Sequence, residues 1–537
     1  MPKGGTALGI AIVCLGASAH AGGMYLPGSG AISTSRAGAA IASTDNGEAI
    51  GLNPAGIAKT TGTTITLSMA IIDYAMTFQR RGTYDAVPNV DLAYEGQPYP
   101  LVEDSSKAPL GVGGFQPIPV FAVTTDLGGV VPNLRIAAGV YAPNSYPFRD
   151  LCTTQANGSC KKYAFGNDPD EAPSPARYDV VKRDAVLFMP TIAASYRILP
   201  NLDVGARFGW GFSDVKSSVH VWSSPGNVVE DVGGDGLLEI KGKDNFVPSY
   251  GAGFTYRPTP AIEVAGNYNS EIHIGGKGTA KTTLGDRSGS SGIQVTVQPV
   301  PDEFAECEPG GKVGAFKACL TAELPRSVTV GGRYKFLGKD GQERGDLELN
   351  LGWENWGNEA ATDYRVKIDS EIVTAGGGGL AIKQNIVRHG FQDVFNARVG
   401  GSWRFPVGEN TVIARGGIGY DTAAAKEGWQ RADIDGAART TISAGAGYRT
   451  KRFQIDAGFG VVLEGSNDNP GDCNPISNQP GDLGCNRDGV QAPLGDRQGP
   501  DPINPLVVPE QQLQAPVNQG VFTSHYLMIM LGATTWF

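Results

Sequence analysis

The chain has 537 residues and is rich in glycine and proline, with 76 of the first and 35 of the second. Hydrophobic residues make up 41 % of it and the mean hydropathy is -0.16, which excludes a membrane protein built from apolar helices. The formal net charge of -10 argues against nucleic acid as a partner. A transmembrane β-barrel stays within these limits, because its strands face lipid on one side and a polar lumen on the other.

The first residues have the pattern of a secretory signal, and we predict that residues 1–21 are removed as a signal peptide. Lys3 supplies positive charge, residues 7–17 form a short apolar core, and residues 19–21 provide a small-residue cleavage site. Cys14 leaves a lipoprotein signal open, although the bulky residue before it disfavours that interpretation. The mature protein is therefore predicted to be periplasmic, secreted or in the outer membrane.

Six further cysteines fall in three local pairs, each in a stretch rich in glycine, asparagine or proline. Export to an oxidising compartment favours disulfides, and each bridge would close a short loop. Connectivity stays open at this point, and metal ligation is the competing interpretation, disfavoured because no histidine accompanies any pair at zinc-site spacing. The predicted pairs are Cys152 with Cys160, Cys307 with Cys319, and Cys473 with Cys485.

From residue 63 onward, apolar and polar side chains alternate in segments of about ten residues, the period of a barrel wall. In the clearest segment, residues 261–274, the two faces differ in chemistry. The apolar face holds Ile262, Val264, Tyr268, Ile272 and Ile274, and the polar face holds Glu263, Asn267, Asn269, Glu271 and His273. This pattern predicts lipid on one side of the wall and an enclosed polar lumen on the other.

Fourteen strands follow from this alternation, an even number as single-chain bacterial barrels require. They are residues 63–77, 117–126, 133–143, 183–199, 201–218, 245–257, 261–274, 325–337, 346–356, 391–405, 410–421, 437–449, 452–463 and 525–537. Their connections alternate between tight turns and long polar stretches, such as 144–182, 275–324 and 465–524. Outer-membrane barrels have short periplasmic turns and long external loops, so the three cysteine pairs are predicted to brace external loops.

The last strand is strongly patterned and ends on an aromatic residue. Trp536 and Phe537 are predicted to lie in the interfacial aromatic girdle, and Tyr526, Met528 and Met530 are predicted to point into the lumen. The face predicted to meet lipid holds Leu527, Ile529, Leu531, Ala533 and Phe537. In a soluble protein, such an exposed apolar edge strand would invite aggregation.

Several segments resemble the FadL family of outer-membrane transporters for long-chain fatty acids and hydrocarbons. The stretch STSRAGAAIASTDNGEAIGLNPAGIA, residues 33–58, resembles the family's plug, with its Asn-Pro-Ala motif at Asn53, Pro54 and Ala55. Asn-Pro is elsewhere an ordinary turn starter, so its position just before the first strand makes it specific. Other similar segments are FVPSYGAGFTYRPTPAIEVAGNYNSEIHIGGKG, ELPRSVTVGGRYKF and LELNLGWENW. The cysteine pairs and the stretch 465–524 depart from the family pattern.

The resemblance implies an all-β fold: a fourteen-stranded antiparallel transmembrane β-barrel, residues 63–537, with a small N-terminal hatch, residues 22–62, inside the lumen. It also implies uptake of long-chain fatty acids or other hydrophobic compounds through an external apolar groove, movement of the hatch, and lateral release at a kink in the third strand. Gly139 and Pro143 of that strand weaken strand pairing, although a strand that simply ends at a turn would look the same. We expect a monomer in contact with outer-membrane lipid and lipopolysaccharide, with no cofactor or metal.

A fatty-acid carboxylate requires a cation held in a low-dielectric pocket. Alternation places six basic candidates in the lumen together with acids that could neutralise them, so structural pairing is the competing role of each. The candidates are Arg207, Arg333, Lys335, Arg398, Arg404 and Arg415, and the acids are Asp203, Glu263, Glu271, Glu348 and Glu354.

Two other functions compete with the transport of hydrophobic compounds. The first is an open porin for small polar solutes, which the plug-like segment disfavours. The second is a lipid-acting outer-membrane enzyme, which would need a nucleophile beside an orienting base. His273 and Ser270 alternate to opposite sides of their predicted strand, so no catalytic dyad is evident and we expect no enzyme.

Overall fold

The computed structural model describes residues 23–84, 86–87, 89–106, 116–143, 148–166, 168, 170–221, 231–286, 295–299, 316–374, 379–426, 429–469 and 520–537. The strands are β1 (Thr63–Arg80), β2 (Val102–Asp104), β3 (Gln116–Thr125), β4 (Leu134–Tyr141), β5 (Arg149–Thr154), β6 (Cys160–Lys161), β7 (Lys182–Leu199), β8 (Leu202–Val221), β9 (Gly236–Thr259), β10 (Ile262–Asn269), β11 (Ile272–Leu284), β12 (Val295–Pro299), β13 (Phe316–Leu324), β14 (Ser327–Leu337), β15 (Glu343–Glu354), β16 (Asp363–Thr374), β17 (Gly379–Arg388), β18 (Val394–Val407), β19 (Asn410–Asp421), β20 (Arg439–Arg449), β21 (Phe453–Asn469) and β22 (Gly520–Trp536). Two one-turn α-helices are α1 (Ala31–Thr34) and α2 (Glu359–Thr362), and 3-10 turns cover Gly47–Ile50, Pro54–Lys59, Leu127–Gly129 and Val232–Gly234.

Fourteen of these strands close into one antiparallel barrel, which confirms the predicted fold class. The ring closes where β1 pairs with β22, from Thr64 opposite Trp536 to Arg80 opposite Gly520. The wall strands, each paired with the next, are β1, β3, β4, β7, β8, β9, β10, β14, β15, β18, β19, β20, β21 and β22. Because the ring is closed, no wall strand is left at a free sheet edge, and each wall strand is hydrogen-bonded to a neighbour on both sides.

The outward side chains of the wall form an exposed apolar belt. Ile192 is 62 % exposed, Ile455 55 % and Phe459 54 %. Soluble proteins rarely expose a contiguous apolar surface of this kind, whereas hydrocarbon solvates it at little cost. No helix among the described residues is long and apolar enough to cross a membrane.

The last wall strand has the predicted orientation of its side chains. Tyr526, Met528 and Met530 are buried inside, whereas Ile529 and Leu531 are exposed outside. Gly62, with φ of 61°, precedes β1, and a Cβ there would lie 2.3 Å from the backbone oxygen of the C-terminal residue. Only glycine therefore fits where the first and last strands meet.

The strand predicted over residues 261–274 is wrong in its second half. β10 ends at Asn269, and β11 starts at Ile272 with the opposite alternation, so that Ile272 is 5 % exposed and the His273 side chain 59 %. The main chain leaves the ladder at Ser270, whose hydroxyl accepts from Tyr250 N at 3.0 Å. Asn267 and Ser270 are both buried although they are three residues apart, so the alternation is shifted by one residue at this point. Each later residue therefore faces the side opposite to the predicted one, and Ile272 does not meet lipid and His273 does not face the lumen.

Paired strands also occur within the stretches predicted as long polar loops. Residues 144–182 contain β5 and β6, residues 275–324 contain most of β11 together with β12 and β13, and β16 and β17 precede β18. β9 is 24 residues long and extends well beyond its predicted bounds of 245–257. The exposed residues of β9 and β11 in this region include Lys241, Lys243, Lys277 and Lys281, so the apolar outer row that marks a strand of the wall is missing there.

One predicted disulfide is confirmed: Cys152 of β5 is bonded to Cys160 of β6, with Cα atoms 5.5 Å apart. Cys319 of β13 is also disulfide-bonded, but Cys307, its predicted partner, lies outside the described residues. Cys473, Cys485 and the predicted signal peptide lie outside them as well.

Candidate functional site: the lumen

Residues 23–62, called the N-terminal segment below, lie within the ring of strands. The segment is hydrogen-bonded to inward groups on different sides of the wall. Ala31 N donates to Ser68 Oγ of β1 at 2.6 Å, and Ala37 N donates to Ser443 Oγ of β20 at 2.8 Å. On another side, Gly47 N donates to Thr66 Oγ1 at 3.0 Å. The segment therefore occupies the lumen at the level of these strands.

Arg36 makes the most extensive contact between the segment and the wall. Its guanidinium binds both carboxylate oxygens of Asp346, at 3.0 and 2.8 Å, and lies 3.2 Å from Glu348 Oε2. Glu348 in turn accepts the backbone amides of Ala42 at 2.8 Å and Ser43 at 3.1 Å. All of these charged groups are buried, so the fork-to-fork geometry of the guanidinium and carboxylate is shielded from water.

Arg36 was not among the residues predicted from the sequence to have a role in the lumen. The sequence does contain an indication of its role, since Arg36 is the only basic residue between positions 23 and 58. A lone guanidinium in a stretch of small residues needs a carboxylate partner once that stretch is buried. The acidic residues of the predicted lumen face were the available partners.

The Asn-Pro-Ala motif starts a 3-10 turn and ties it to the wall. Asn53 Oδ1 accepts from Ala55 N at 3.1 Å, and Pro54 occupies the first position of the turn. Asn53 Nδ2 donates to Ile41 O at 2.9 Å and to Phe254 O of β9 at 3.2 Å. Asn53 therefore acts as a cap and as a bridge between two parts of the lumen.

Glu48 joins α1 to the first wall strand. Its carboxylate accepts four hydrogen bonds, from Ile32 N at 2.9 Å, Ser33 N at 3.0 Å, Ser33 Oγ at 2.8 Å and Ser68 Oγ at 2.9 Å. Burial raises the pKa of Glu48, and the four donors oppose that rise. Glu48 was not predicted from the sequence, because only folding brings its four hydrogen-bond donors together.

Five of the six predicted lumen cations are neutralised by wall carboxylates. Arg333 contacts Glu263 at 2.8 Å, Glu343 at 2.6 Å and Asp346 at 2.9 Å. The other four pairs are Lys335 with Glu263 at 2.7 Å, Arg398 with Asp421 at 2.6 Å, Arg415 with Asp456 at 2.7 Å, and Arg404 with Glu343. These residues face inward as predicted, and their pairing matches the competing structural role.

Arg207 differs from the other five. Its Nη1 donates to Ile50 O at 2.5 Å and its Nη2 to Asn269 Oδ1 at 2.8 Å, and it stacks over the Tyr141 ring at 4.8 Å. Within the described residues no carboxylate is ion-paired with Arg207, and its buried Nε has no hydrogen-bond partner there. Arg207 borders a cavity of about 150 Å³ between the N-terminal segment and the wall, whose apolar lining includes Leu26.

The third wall strand, β4, separates that inner cavity from a recess on the outer face. Tyr141 and Pro143, at the end of β4, border the inner cavity. Ile136 and Ala138 border the outer recess, which is about 630 Å³ in volume and apolar except for Thr125 and Arg207. A Cβ at Gly139 would lie only 2.1 Å from a backbone oxygen of β3. At this position β3 and β4 are therefore so close that only glycine fits.

Residues 422–438, between β19 and β20, fold into the outer mouth of the barrel. Asp435 accepts from Tyr74 Oη of β1 at 3.1 Å and from Ser524 Oγ of β22 at 2.6 Å. Asp433 lies 2.9 Å from His389 Nε2 and 3.2 Å from Arg431 Nε. Burial opposes ionisation of Asp433, but the charges of His389 and Arg431 outweigh it and hold its pKa well below the usual range.

The described histidines form no catalytic arrangement. His220 and His389 are buried beside Asp235 and Asp433, and no described serine, threonine or cysteine side chain is hydrogen-bonded to either ring. Within the same residues, no group of three histidine, cysteine, aspartate or glutamate side chains could hold a metal ion. Among the described residues, five of the six basic candidates in the lumen are ion-paired, and Arg207 beside the inner cavity is the exception.

Comparison with known proteins agrees with this architecture. The family described as outer membrane protein transport protein (OMPP1/FadL/TodX) matches residues 12–469. A FadL homologue of Pseudomonas aeruginosa has a similar structure, with a TM-score of 0.65 at 15% identity over 96% of this chain and 100% of that one. The toluene transporters TodX of P. putida and TbuX of Ralstonia pickettii give TM-scores of 0.56 and 0.55 at 13% and 14% identity, each over 95% of this chain and 99% of theirs. No curated protein sequence matches the chain.

Fold and lumen together define an outer-membrane β-barrel of the kind that transports hydrophobic compounds. The chain belongs to the OMPP1/FadL/TodX family of outer membrane transport proteins. TodX and TbuX are described as toluene transporters.

Proposed function

We propose that this protein takes up long-chain fatty acids, or hydrophobic molecules with a similar anionic head group, across the outer membrane. External loops capture the molecule, the N-terminal segment acts as a hatch, and the molecule leaves sideways through the wall at β4. The toluene transporters of the family make uncharged hydrocarbons the closest competing substrates.

The fatty-acid assignment rests on Arg207, which is buried and has no ion-paired carboxylate among the described residues. A guanidinium has five donors, and here two of its nitrogens each donate one hydrogen bond to a neutral oxygen. A buried cation without a described counter-charge is costly, and a ligand carboxylate would supply the missing charge. An uncharged hydrocarbon would leave Arg207 as it is, so this arrangement favours an anionic head group.

The exit route rests on the position of β4. The strand is eight residues long, with the cavity bordered by Arg207 on its inner side and the apolar recess on its outer side. An acyl chain that passes here would move out of a polar pocket and onto a surface that lipid already covers. Pro143 supports this route, because it follows the end of β4 and has no backbone N–H to donate to a sheet. Gly139, in contrast to the expectation from the sequence, is paired with Ala122 of β3 and Thr191 of β7 and does not interrupt the strand.

The test measures uptake of oleate and of an uncharged hydrocarbon, toluene, by cells that express the protein or its variants. Arg207→Gln should lower oleate uptake about tenfold to a hundredfold, since a hydrogen bond to a charged group contributes about 1.5–3 kcal/mol. Toluene uptake should not change. Arg404→Gln is the matched control, because this lumen arginine is already paired with Glu343.

The possible outcomes separate the parts of the proposal. Equal loss of both substrates in Arg207→Gln would contradict head-group recognition by Arg207. A deletion strain that takes up oleate as fast as its parent would contradict fatty-acid transport altogether. Conductance of small ions through the purified wild-type protein in planar bilayers would favour the open porin instead.

A further inference from the structure

The inner cavity beside Arg207 is bordered by residues whose buried polar atoms lack a hydrogen-bond partner. Besides Arg207 Nε, three such atoms belong to residues on its border and have no partner in the part of the chain that the structure describes. They are Asn267 Oδ1, Ser29 Oγ and Arg398 Nε. Native proteins leave few buried polar atoms in that state, because it is costly. Four of them around one cavity indicate a site for a molecule that has polar groups of its own.

The arginine fixes the orientation of the two asparagine side chains next to it. A guanidinium only donates hydrogen bonds, so the atom that Arg207 Nη2 contacts at 2.8 Å is the oxygen of Asn269. Asn267 contacts the same oxygen at 3.0 Å and must do so with its nitrogen. The remaining polar atom of Asn267 is therefore its oxygen, which accepts hydrogen bonds and cannot donate them. Asn267 is 6 % exposed, so bulk water does not reach this acceptor.

A plain fatty acid would complement only part of this border. Beside the charged guanidinium of Arg207 the carboxyl group is ionised, and a carboxylate has acceptors only. The carboxylate can accept from Arg207 Nε, but it brings a further acceptor towards the oxygen of Asn267. Asn267 Oδ1 requires a donor, and a hydroxyl group on the ligand supplies one.

The volume of the cavity limits how far that hydroxyl group lies from the carboxylate. The cavity measures about 150 Å³. A protein cavity of about this size holds a molecule such as benzene, with about six non-hydrogen atoms. A carboxylate, the next two carbon atoms of the chain and one hydroxyl oxygen also amount to about six. The hydroxyl group therefore belongs on the second or third carbon atom of the acid.

We propose that the inner cavity prefers fatty acids with a hydroxyl group on the second or third carbon atom. Arg207 binds the carboxylate, and Asn267 accepts the hydrogen bond of the hydroxyl group. This inference rests on the proposed function, because it requires that the head group enters the lumen beside Arg207. It adds a preference within that substrate class and makes Asn267 the residue that determines it.

The test measures binding to the full-length protein, purified in mild detergent, by calorimetry. The ligands are palmitate, β-hydroxypalmitate and ω-hydroxypalmitate. The two hydroxy acids have the same composition and differ only in the distance of the hydroxyl group from the carboxylate. The readout is the ratio of affinities within one protein variant, so a general loss of binding does not imitate the expected result.

Two variants separate the role of Asn267 from a general effect on the barrel. Asn267→Leu removes the acceptor and keeps the approximate size of the side chain. Asn467→Leu is the matched control, since Asn467 is 4 % exposed and its Oδ1 also lacks a partner among the described residues. Asn467 does not border the inner cavity. Both variants should keep the heat-modifiable migration of a folded barrel.

The wild type should bind β-hydroxypalmitate about tenfold more tightly than the other two acids, which is the usual contribution of one hydrogen bond. Asn267→Leu should bind all three acids alike, whereas Asn467→Leu should keep the preference. A preference that survives in Asn267→Leu would overturn the assignment. Equal binding of palmitate and β-hydroxypalmitate by the wild type would overturn it too, and is the result expected if bound water satisfied Asn267.

The same measurements distinguish failure of this preference from failure of the proposed function. Palmitate that binds the wild type and binds Arg207→Gln more weakly supports the proposed function, whatever the effect of the hydroxyl group. If none of the three acids binds the wild type, the proposed function and the preference are both overturned.

Discussion

Replacing Arg36 by methionine should release the N-terminal segment from the barrel wall. The substitution keeps the length and apolar stem of the side chain but removes the contacts to Asp346 and Glu348. Breaking a buried ion pair by removing one partner costs about 3–5 kcal/mol. Asp346 keeps Arg333 at 2.9 Å and Glu348 keeps two backbone amides, so the lower end of this range applies here.

A loss of about 3 kcal/mol raises the ratio of displaced to seated segments about a hundredfold. The purified protein in planar bilayers reports this ratio as the fraction of time in which small ions pass. Arg36→Met should therefore open about a hundredfold more often than the wild type. The control is Arg344→Met, since Arg344 pairs with Asp340 on the surface and exposed pairs contribute about 0–1 kcal/mol.

The reasoning about Arg36 would be refuted if Arg36→Met conducted as little as the wild type while its barrel was folded. Arg36→Lys provides a second check, because a single ammonium can meet one carboxylate but cannot form the forked contact. Its opening frequency should fall between those of the wild type and Arg36→Met. A lysine variant that opens more often than the methionine variant would contradict the assignment.

Three further predictions concern the wall and the external loops. Changing Cys152 and Cys160 to serine should raise deuterium exchange in β5 and leave the barrel folded, since a bridge over so short a loop contributes about 2–3 kcal/mol; unchanged exchange would contradict this. Gly139→Ala should lower the unfolding temperature, because overpacking costs about 1–3 kcal/mol of folding free energy. The control Gly332→Ala should not, because a Cβ at Gly332 meets no atom within 4 Å. Equal shifts of the unfolding temperature in the two variants would count against a close approach of β3 and β4. Despite burial, cationic neighbours keep the pKa of Asp433 low, so the seating of residues 422–438 is fully stabilised above the unfolded pKa of about 3.9 and weakens as pH falls below it. Proteolysis of this loop should increase as pH falls from about 4 to about 2 in the wild type and vary less in Asp433→Asn; a pH-independent wild type would exclude the mechanism.

The sequence alone determined the class of fold. A period of two in hydrophobicity is a local property, since neighbouring residues of a strand face opposite solvents whatever the strand pairs with. The number of wall strands, the inward position of the six basic candidates and the orientation of β22 all followed from that period. The resemblance to the family identified the motif at Asn53, and the short spacing of Cys152 and Cys160 predicted one local disulfide.

Tertiary structure decided what the period could not. The inversion at Ser270 depends on how β10 and β11 pair with other strands, and β9 and β11 continue to pair beyond the wall with lysines on their exposed side. Arg36 meets Asp346 across a separation of 310 residues, and five lumen cations find carboxylates while Arg207 does not. Such pairings depend on strand register and on how the N-terminal segment fills the lumen, and alternation along a single strand contains no information about either.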